Sequence, residues 1–205
     1  MQYLKDEMRS KITEKALMEF QEKGYSGASI RNIAKNSGTS PGNIYKYFKS
    51  KDDLYETLIG SVYFKIMDCM GQFSRVELNE KAETVFYELM GNIMLLIEES
   101  SLELSILLNK SAGSRYENCK STFICLITEI VTGMISYELA SKGKKLKDGF
   151  IIYLLSNSMV ESISIILMKK EDRAEAKTLI LSLIDIVFGN LSEKLSKQAG
   201  AVFDI

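Results

Sequence analysis

The chain of 205 residues has no histidine, no tryptophan, one proline and three cysteines. Without histidine there can be no Ser-His-Asp triad, no Cys-His pair and no His-bearing zinc or iron site, so only lysine or carboxylate catalysis stays open. No metal or cofactor is expected. A lone proline points to long uninterrupted helices, because proline is their usual interruption. Cys69, Cys119 and Cys125 are odd in number and contain no CxxC pair. They read as reduced, buried small hydrophobes of a cytoplasmic protein, with no disulfide framework. The start, Met1-Gln-Tyr-Leu-Lys-Asp-Glu7, lacks the apolar stretch of a secretory signal. One segment, residues 149–168, is apolar enough to suggest a membrane span, but it carries Asn157, Glu161 and four serines. A central acid costs about 2.5 to 3.5 kcal/mol on insertion scales, so a helix buried between protein surfaces is expected, and no membrane partner.

Net charge is also small, with 26 basic against 27 acidic side chains, and 46% of residues are apolar. That composition excludes disorder and suits one large or two small domains. The balance conceals a division. Residues 1–51 hold ten Lys/Arg and five Asp/Glu, whereas residues 52–205 hold 16 and 22. Arg31, Lys35, Lys46, Lys49 and Lys51 fall in one stretch without a single acid. On charge alone, a solvated basic face and a nucleic-acid surface are equally good readings.

Periodicity predicts an all-α chain of about nine helices. The first spans residues 6–23, with Ile12, Ala16, Leu17 and Phe20 on one face and Gly24 as its left-handed stop. Ser29 caps a short second helix that turns Ile30, Ile33 and Ala34 inward and ends at Gly38. Ser40 caps a third, residues 41–47, with Pro41 at its first position, where a missing N–H costs least, and Ile44 and Phe48 facing the core. Ser50 caps a fourth, which continues to about residue 73. Further helices are expected at 80–98, 102–110, 115–142, 147–169 and 172–197. Two short helices joined by a glycine-containing turn and covered by a longer one form a helix-turn-helix arrangement. An element so short leaves one face free, and its first residues fit a major groove about 12 Å wide. Lys51 opens its helix at the end that repels cations, which suggests a phosphate partner.

The run from Ser29 to Leu54, with Ile33-Ala34, Gly38, Gly42 and Tyr45-x-Tyr47-Phe48-x-x-Lys51-x-x-Leu54, resembles the DNA-binding signature of the TetR/AcrR family of transcriptional regulators. The resemblance covers roughly residues 10–58, about a quarter of the chain. It implies that Ser29 and Arg31 face DNA and that Thr39, Ser40, Pro41, Gly42 and Asn43 form the groove-facing turn. Tyr45, Tyr47 and Lys51 match phosphate-binding positions, and Lys46 varies between phosphate and base. Pro41 departs from the pattern: many members have a longer polar residue there, so base readout leans on Arg31, Lys46 and contacts with thymine methyls.

The division expected is a DNA-binding domain at residues 1–50 and a helical effector-binding and dimerisation domain at 51–205. The last two helices are apolar on more than one face, and a second copy of the chain is the simplest cover. Leu154, Ser158, Ser162, Ile166, Leu179, Ile180, Leu183 and Val187 are the interface candidates, and the resemblance implies the same homodimer. Tyr63, Phe64, Met67, Met70, Phe86, Tyr87, Met90, Met94, Phe123 and Met134 are candidate walls of a cavity for a small hydrophobic or aromatic effector, with ordinary core as the rival reading. The function implied is a repressor released from palindromic operator DNA by that effector. Two alternatives stay open: a helical carrier or enzyme with an incidental basic head, and a DNA-binding regulator without a ligand.

Overall fold

The structure, a computed structural model, describes residues 2–74 and 82–198, and every regular element among them is helical. In chain order these are α1 (Gln2–Gly27), α2 (Ile30–Asn36), α3 (Pro41–Ile44) and α4 (Lys51–Tyr55), which passes through a π-helical turn (Glu56–Gly60) into α5 (Ser61–Ser74). Then follow α6 (Ala82–Glu99), α7 (Ser101–Asn109), α8 (Cys119–Ser141), α9 (Phe150–Lys169), α10 (Arg173–Phe188) and α11 (Leu191–Gln198).

Each of the nine expected helices has a counterpart, with α4, the π turn and α5 forming the fourth as one run. The last is broken in two. Gly189 N–H closes α10 on the Asp185 carbonyl at 2.7 Å, and Asn190 takes the left-handed φ of 54° that starts a new direction. Helix α3 is shorter than the expected 41–47, ending at Ile44 and continuing as turn. Residues 115–118, expected as helix, form turns that lead into α8. Gly24 and Gly38 take positive φ of 69° and 68°, which only glycine adopts without strain. Gly24 kinks α1 where its first, expected stretch stops, with a last turn running on to Gly27, and Gly38 follows the end of α2.

The described residues gather into two compact units, Met1–Met67 with Glu99–Cys119 and Asp68–Glu98 with Lys120–Ile205. In the first, Ile12, Ala16 and Phe20 of α1 meet Ile33 and Ala34 of α2, Ile44 of α3 and Phe48, all at most 1% exposed. Leu54, Tyr55 and Ile59 extend that core, and Ile106 and Leu107 of α7 add to it. Each such side chain contributes about 1.5 to 3 kcal/mol by leaving water. Ile30 is only half-buried, at the margin of the core it was expected to enter.

In the second unit, Val131, Ile135 and Leu139 of α8 pack on Ile152 of α9 and Leu191 of α11. Helix α9 buries Ile152, Ser156, Met159, Val160, Ser164 and Leu167. Phe150, Tyr153, Leu154, Ile165 and Met168, elsewhere on α9, are all exposed. Helices α8 and α9 are long and apolar enough to cross a bilayer, but a Lys120–Glu161 ion pair at 2.8 Å joins them, with the carboxylate near the middle of α9. Of the cysteines, Cys119 is buried with its thiol donating to the Leu107 carbonyl, and Cys69 is half-buried. Cys125 is exposed, against expectation, because it falls on the outward side of α8.

Candidate nucleic-acid interface

Three serines shape the short-helix unit. Ser29, Ser40 and Ser50 all have extended backbones, and their side chains accept from the N–H of Arg31 (3.2 Å), Asn43 (3.3 Å) and Asp53 (3.1 Å). Each bond satisfies a donor that a helix start leaves orphaned. Pro41 occupies the first turn of α3 as its fixed φ favours. The Asn43 amide donates to Thr39 Oγ1 at 2.8 Å, which ties the turn to the helix it precedes. Asp53 accepts from the Lys49 N–H at 2.7 Å, closing the next corner.

On this frame Arg31, Ser40, Gly42, Tyr45 and Lys46 are exposed, whereas Ser29, Thr39, Pro41, Asn43 and Tyr47 are half-buried. Tyr45 is 53% exposed, so its ring is not spent in the core. A Cβ added to Gly42 would meet nothing within 4 Å, so the protein itself does not require glycine there. Arg31, Lys35, Lys46 and Lys49 enter no ion pair among the described residues.

Lys51 is different. Its ammonium donates to the carbonyls of Tyr25 (2.8 Å) and Ala28 (3.4 Å) and lies 4.4 Å from the centre of the Tyr25 ring. It thus ties the end of α1 to the start of α4, a structural task that its position in the sequence pattern does not reveal. The Tyr25 hydroxyl donates to Asp52 in the same corner.

Residues remote in sequence hold this unit from behind. Glu19 is 5% exposed, and its Oε1 accepts from Ser29 N–H at 3.2 Å and the Asn32 amide at 3.0 Å, fixing the start of α2 on α1. An acid seven residues after Ile12, on the apolar face, was the available signal. The segment after α7 closes over α1: Tyr25 N–H donates to Lys110 O at 2.8 Å and Ser26 Oγ to Ala112 O at 2.5 Å. Tyr55 sits against Phe20 and Tyr25 with ring centres 4.8 and 4.9 Å apart, its hydroxyl 2.9 Å from Ser111 Oγ. Burial pushes its pKa up to about 12. Burial also raises that of Tyr116, whose hydroxyl donates to Glu56 at 2.5 Å in the π turn. Gly60 permits that approach, since a Cβ there would stand 2.6 Å from the Tyr116 hydroxyl.

The candidate effector residues divide. In the first unit Tyr63 is half-buried against Tyr116 at 4.8 Å, Phe64 is 52% exposed and Met67 is half-buried. In the second, Met70, Met94 and Phe123 are buried, and Met90 and Met134 are half-buried. The side chains of Phe86 and Tyr87 lie outside the described residues. A solvent-open groove of about 260 Å³ lies between Leu139, Leu146, Ile151 and Leu195, rimmed by Lys144, Lys145, Lys147 and Asp148, and none of the candidates lines it. Among the interface candidates, Leu154, Ser158 and Leu179 are exposed, and Ser162, Ile166, Leu183 and Val187 are half-buried. Ile180 differs, being fully enclosed by its own chain on the inner side of α10.

A one-turn helix presented at its capped N-terminus, carried by a cover helix and surrounded by cations without ion pairs among the described residues, defines a helix-turn-helix unit. Residues 12–58 match the family model described as bacterial regulatory proteins, tetR family. In that segment and in its all-helical fold, the chain is similar to TetR-family regulators. It is 42% identical over 60 residues to YttP of Bacillus subtilis, a protein named as a probable HTH-type transcriptional regulator, a match that spans 29% of each chain. It is 24% identical over 106 residues to IcaR of Staphylococcus aureus, a negative regulator of the biofilm operon icaADBC, over 51% of this chain and 55% of IcaR. The chain therefore matches less than two thirds of the length of these curated relatives. The fold is that of NalD, the secondary repressor of the MexAB-OprM multidrug efflux pump in Pseudomonas aeruginosa, with a TM-score of 0.54 and 18% identity over 90% of this chain and 95% of NalD.

Proposed function

We propose that this chain is a homodimeric transcriptional repressor that seats α3 in the major groove of a palindromic operator and is released by a small hydrophobic effector. The observation that carries the reading is the capped, exposed start of α3 with unpaired cations around it. In this reading Arg31, Lys46 and the turn from Thr39 to Asn43 meet base edges, and Tyr45 and Tyr47 meet phosphates. Lys51 serves phosphate only through whatever donor capacity the two carbonyls leave it, having three protons in all. One short helix reads too few bases, so a two-fold pair set about 34 to 36 Å apart is needed for specificity. The exposed apolar side chains of α9 and α10, Phe150, Leu154, Ile165, Leu179 and Ile186 among them, support a second copy as the cover.

IcaR and NalD are both described as repressors, which supports repression over activation. The effector reading draws on the soft, buried lining of Met70, Met94 and Phe123. Release requires the effector to prefer the DNA-incompetent arrangement, and a 100-fold preference is about 2.7 kcal/mol of coupling. The decisive test is selection from a random duplex library, followed by salt titration. A palindrome with half-sites one helical turn apart, bound less tightly as salt rises, is the expected result. Failure to enrich any sequence overturns the reading. Thermal shift against hydrophobic amphiphiles and cationic dyes then tests the effector, which must raise Tm and weaken operator binding together.

A further inference from the structure

We infer that Arg9 and Lys11 of α1 extend the DNA interface as two phosphate contacts, one at each end of the α3 segment. The inference rests on the DNA-binding reading above and adds residues that lie ahead of the helix-turn-helix.

Ile12, Ala16 and Phe20 define the buried stripe of α1. At 100° per residue, Arg9 continues that stripe at its N-terminal end and Lys11 lies about 160° round the helix from Arg9, so their side chains diverge. The neighbours they reach are the two limits of the recognition segment. Arg9 lies over the ring of Phe48, just beyond α3, with its guanidinium carbon 5.5 Å from the ring centre. Lys11 brings its ammonium to 3.7 Å from the Cβ position of Gly38, in the turn that enters α3. Both residues are exposed, and neither has an acidic partner among the described residues.

Other cations of the same helix behave otherwise. Lys15 and Lys23 each hold the preceding carboxylate, Glu14 or Glu22, at 2.6 Å. Arg9 and Lys11, where the helix borders the recognition segment, keep their charge unpaired among the described residues, as does Lys5 nearer the start of α1. The aromatic face under Arg9 restrains its long side chain before any ligand arrives, which lowers the entropy lost on binding. A planar guanidinium matches the two oxygens of a phosphate, and an ammonium supplies a point charge to another. Both stand beside the segment instead of at its tip, which suits the sugar-phosphate walls of the groove and not its floor.

The test measures the salt dependence of binding to a mixed-sequence duplex by the full chain. Arg9→Gln and Lys11→Gln should each lower the slope of log K against log salt by about 0.9, and the double variant by about twice that. Lys15→Gln, whose charge is already engaged, should leave the slope unchanged. Arg9→Lys should restore the slope, which separates lost charge from lost packing on Phe48; a slope still reduced overturns the role of Arg9. Unchanged slopes in both Gln variants, alongside a reduced slope for Lys46→Gln, overturn this inference and spare the proposed function. Absence of any salt-dependent binding by the wild-type chain overturns both.

Discussion

The cations around the short helices differ from four cations of the helical body that are held in ion pairs. In the body, Lys120, Lys142, Lys170 and Lys177 pair with Glu161, Glu138, Glu175 and Glu98 at 2.5 to 2.8 Å. The Lys142 ammonium holds the Glu138 carboxyl below the usual range, and a bond from Ser192 adds to the effect. Around the short helices, Arg31, Lys35, Lys46 and Lys49 have no such partners among the described residues. Surface pairs contribute little to stability, generally about 0 to 1 kcal/mol, so the pairing matters less for the fold than for what is left available. In the proposed function, a polyanion would meet a surface that has not neutralised itself.

Four changes sharpen that contrast, taken from the largest expected effect downward. Leu154→Glu puts a charge on the exposed face of α9, outside the core of its own chain. The variant should keep its helical spectrum, sediment as a monomer and lose operator affinity by about 1,000-fold or more, the scale on which specific binding exceeds non-specific binding. A stable dimer in sedimentation would remove α9 from the interface. Lys51→Ala separates the one tied cation of the recognition region from its untied neighbours. Loss of two charge-assisted bonds to buried-end carbonyls should cost about 1.5 to 3 kcal/mol in chemical denaturation, unlike Lys46→Ala, which should leave stability unchanged. Equal stability of the two variants would show that the Tyr25 and Ala28 contacts contribute nothing.

Gly42→Ala tests the same surface by shape. The added methyl has open space in the protein and should raise helix propensity, so Tm should hold or rise, while binding to every duplex should weaken about tenfold if the backbone lies against DNA. Undiminished binding would mean that DNA keeps its distance there. The smallest effect is alkaline. Tyr55 has its folded pKa raised to about 12 by burial, so the unfolded chain ionises first, near pH 10. The stability it contributes is full below pH 10 and declines as pH rises towards 12. Tyr55→Phe should lose about 1 kcal/mol at neutral pH with the Ser111 bond and show a shallower decline above pH 10. An equally steep decline would assign the effect to other tyrosines.

Local features of the fold were legible because they have local causes. Ser29, Ser40 and Ser50 announce helix starts, Gly24 and Gly38 announce stops, and the 3.6-residue spacing of Ile12, Ala16 and Phe20 announces a buried stripe. The Gly189-Asn190 pair was also a readable stop, overlooked because the apolar pattern runs on to Leu191 and Leu195. Other features depend on pairings between distant residues, which periodicity does not encode. Glu19 is an acid on the apolar face of α1 whose partners show only when α2 is seen against it. Lys51 reads as a free cation until the carbonyls of α1 are in place. Ile180 reads as one of an outward stripe until its burial in α10 divides that stripe into inner and outer sides. The candidate DNA-facing residues follow the local pattern closely, whereas the candidate effector residues, being apolar side chains on several helices, carry no feature that separates a wall from a core.

The ties from Tyr25 to Lys110, from Ser26 to Ala112 and from Tyr55 to Ser111 also have a consequence in time. Synthesis runs from the N-terminus at about 5 to 20 residues per second, so the recognition segment leaves the ribosome several seconds before its fastenings can form. Until residue 112 has emerged, the nascent chain carries the finished sequence of the helix-turn-helix unit without the clasp that fixes its cover helix.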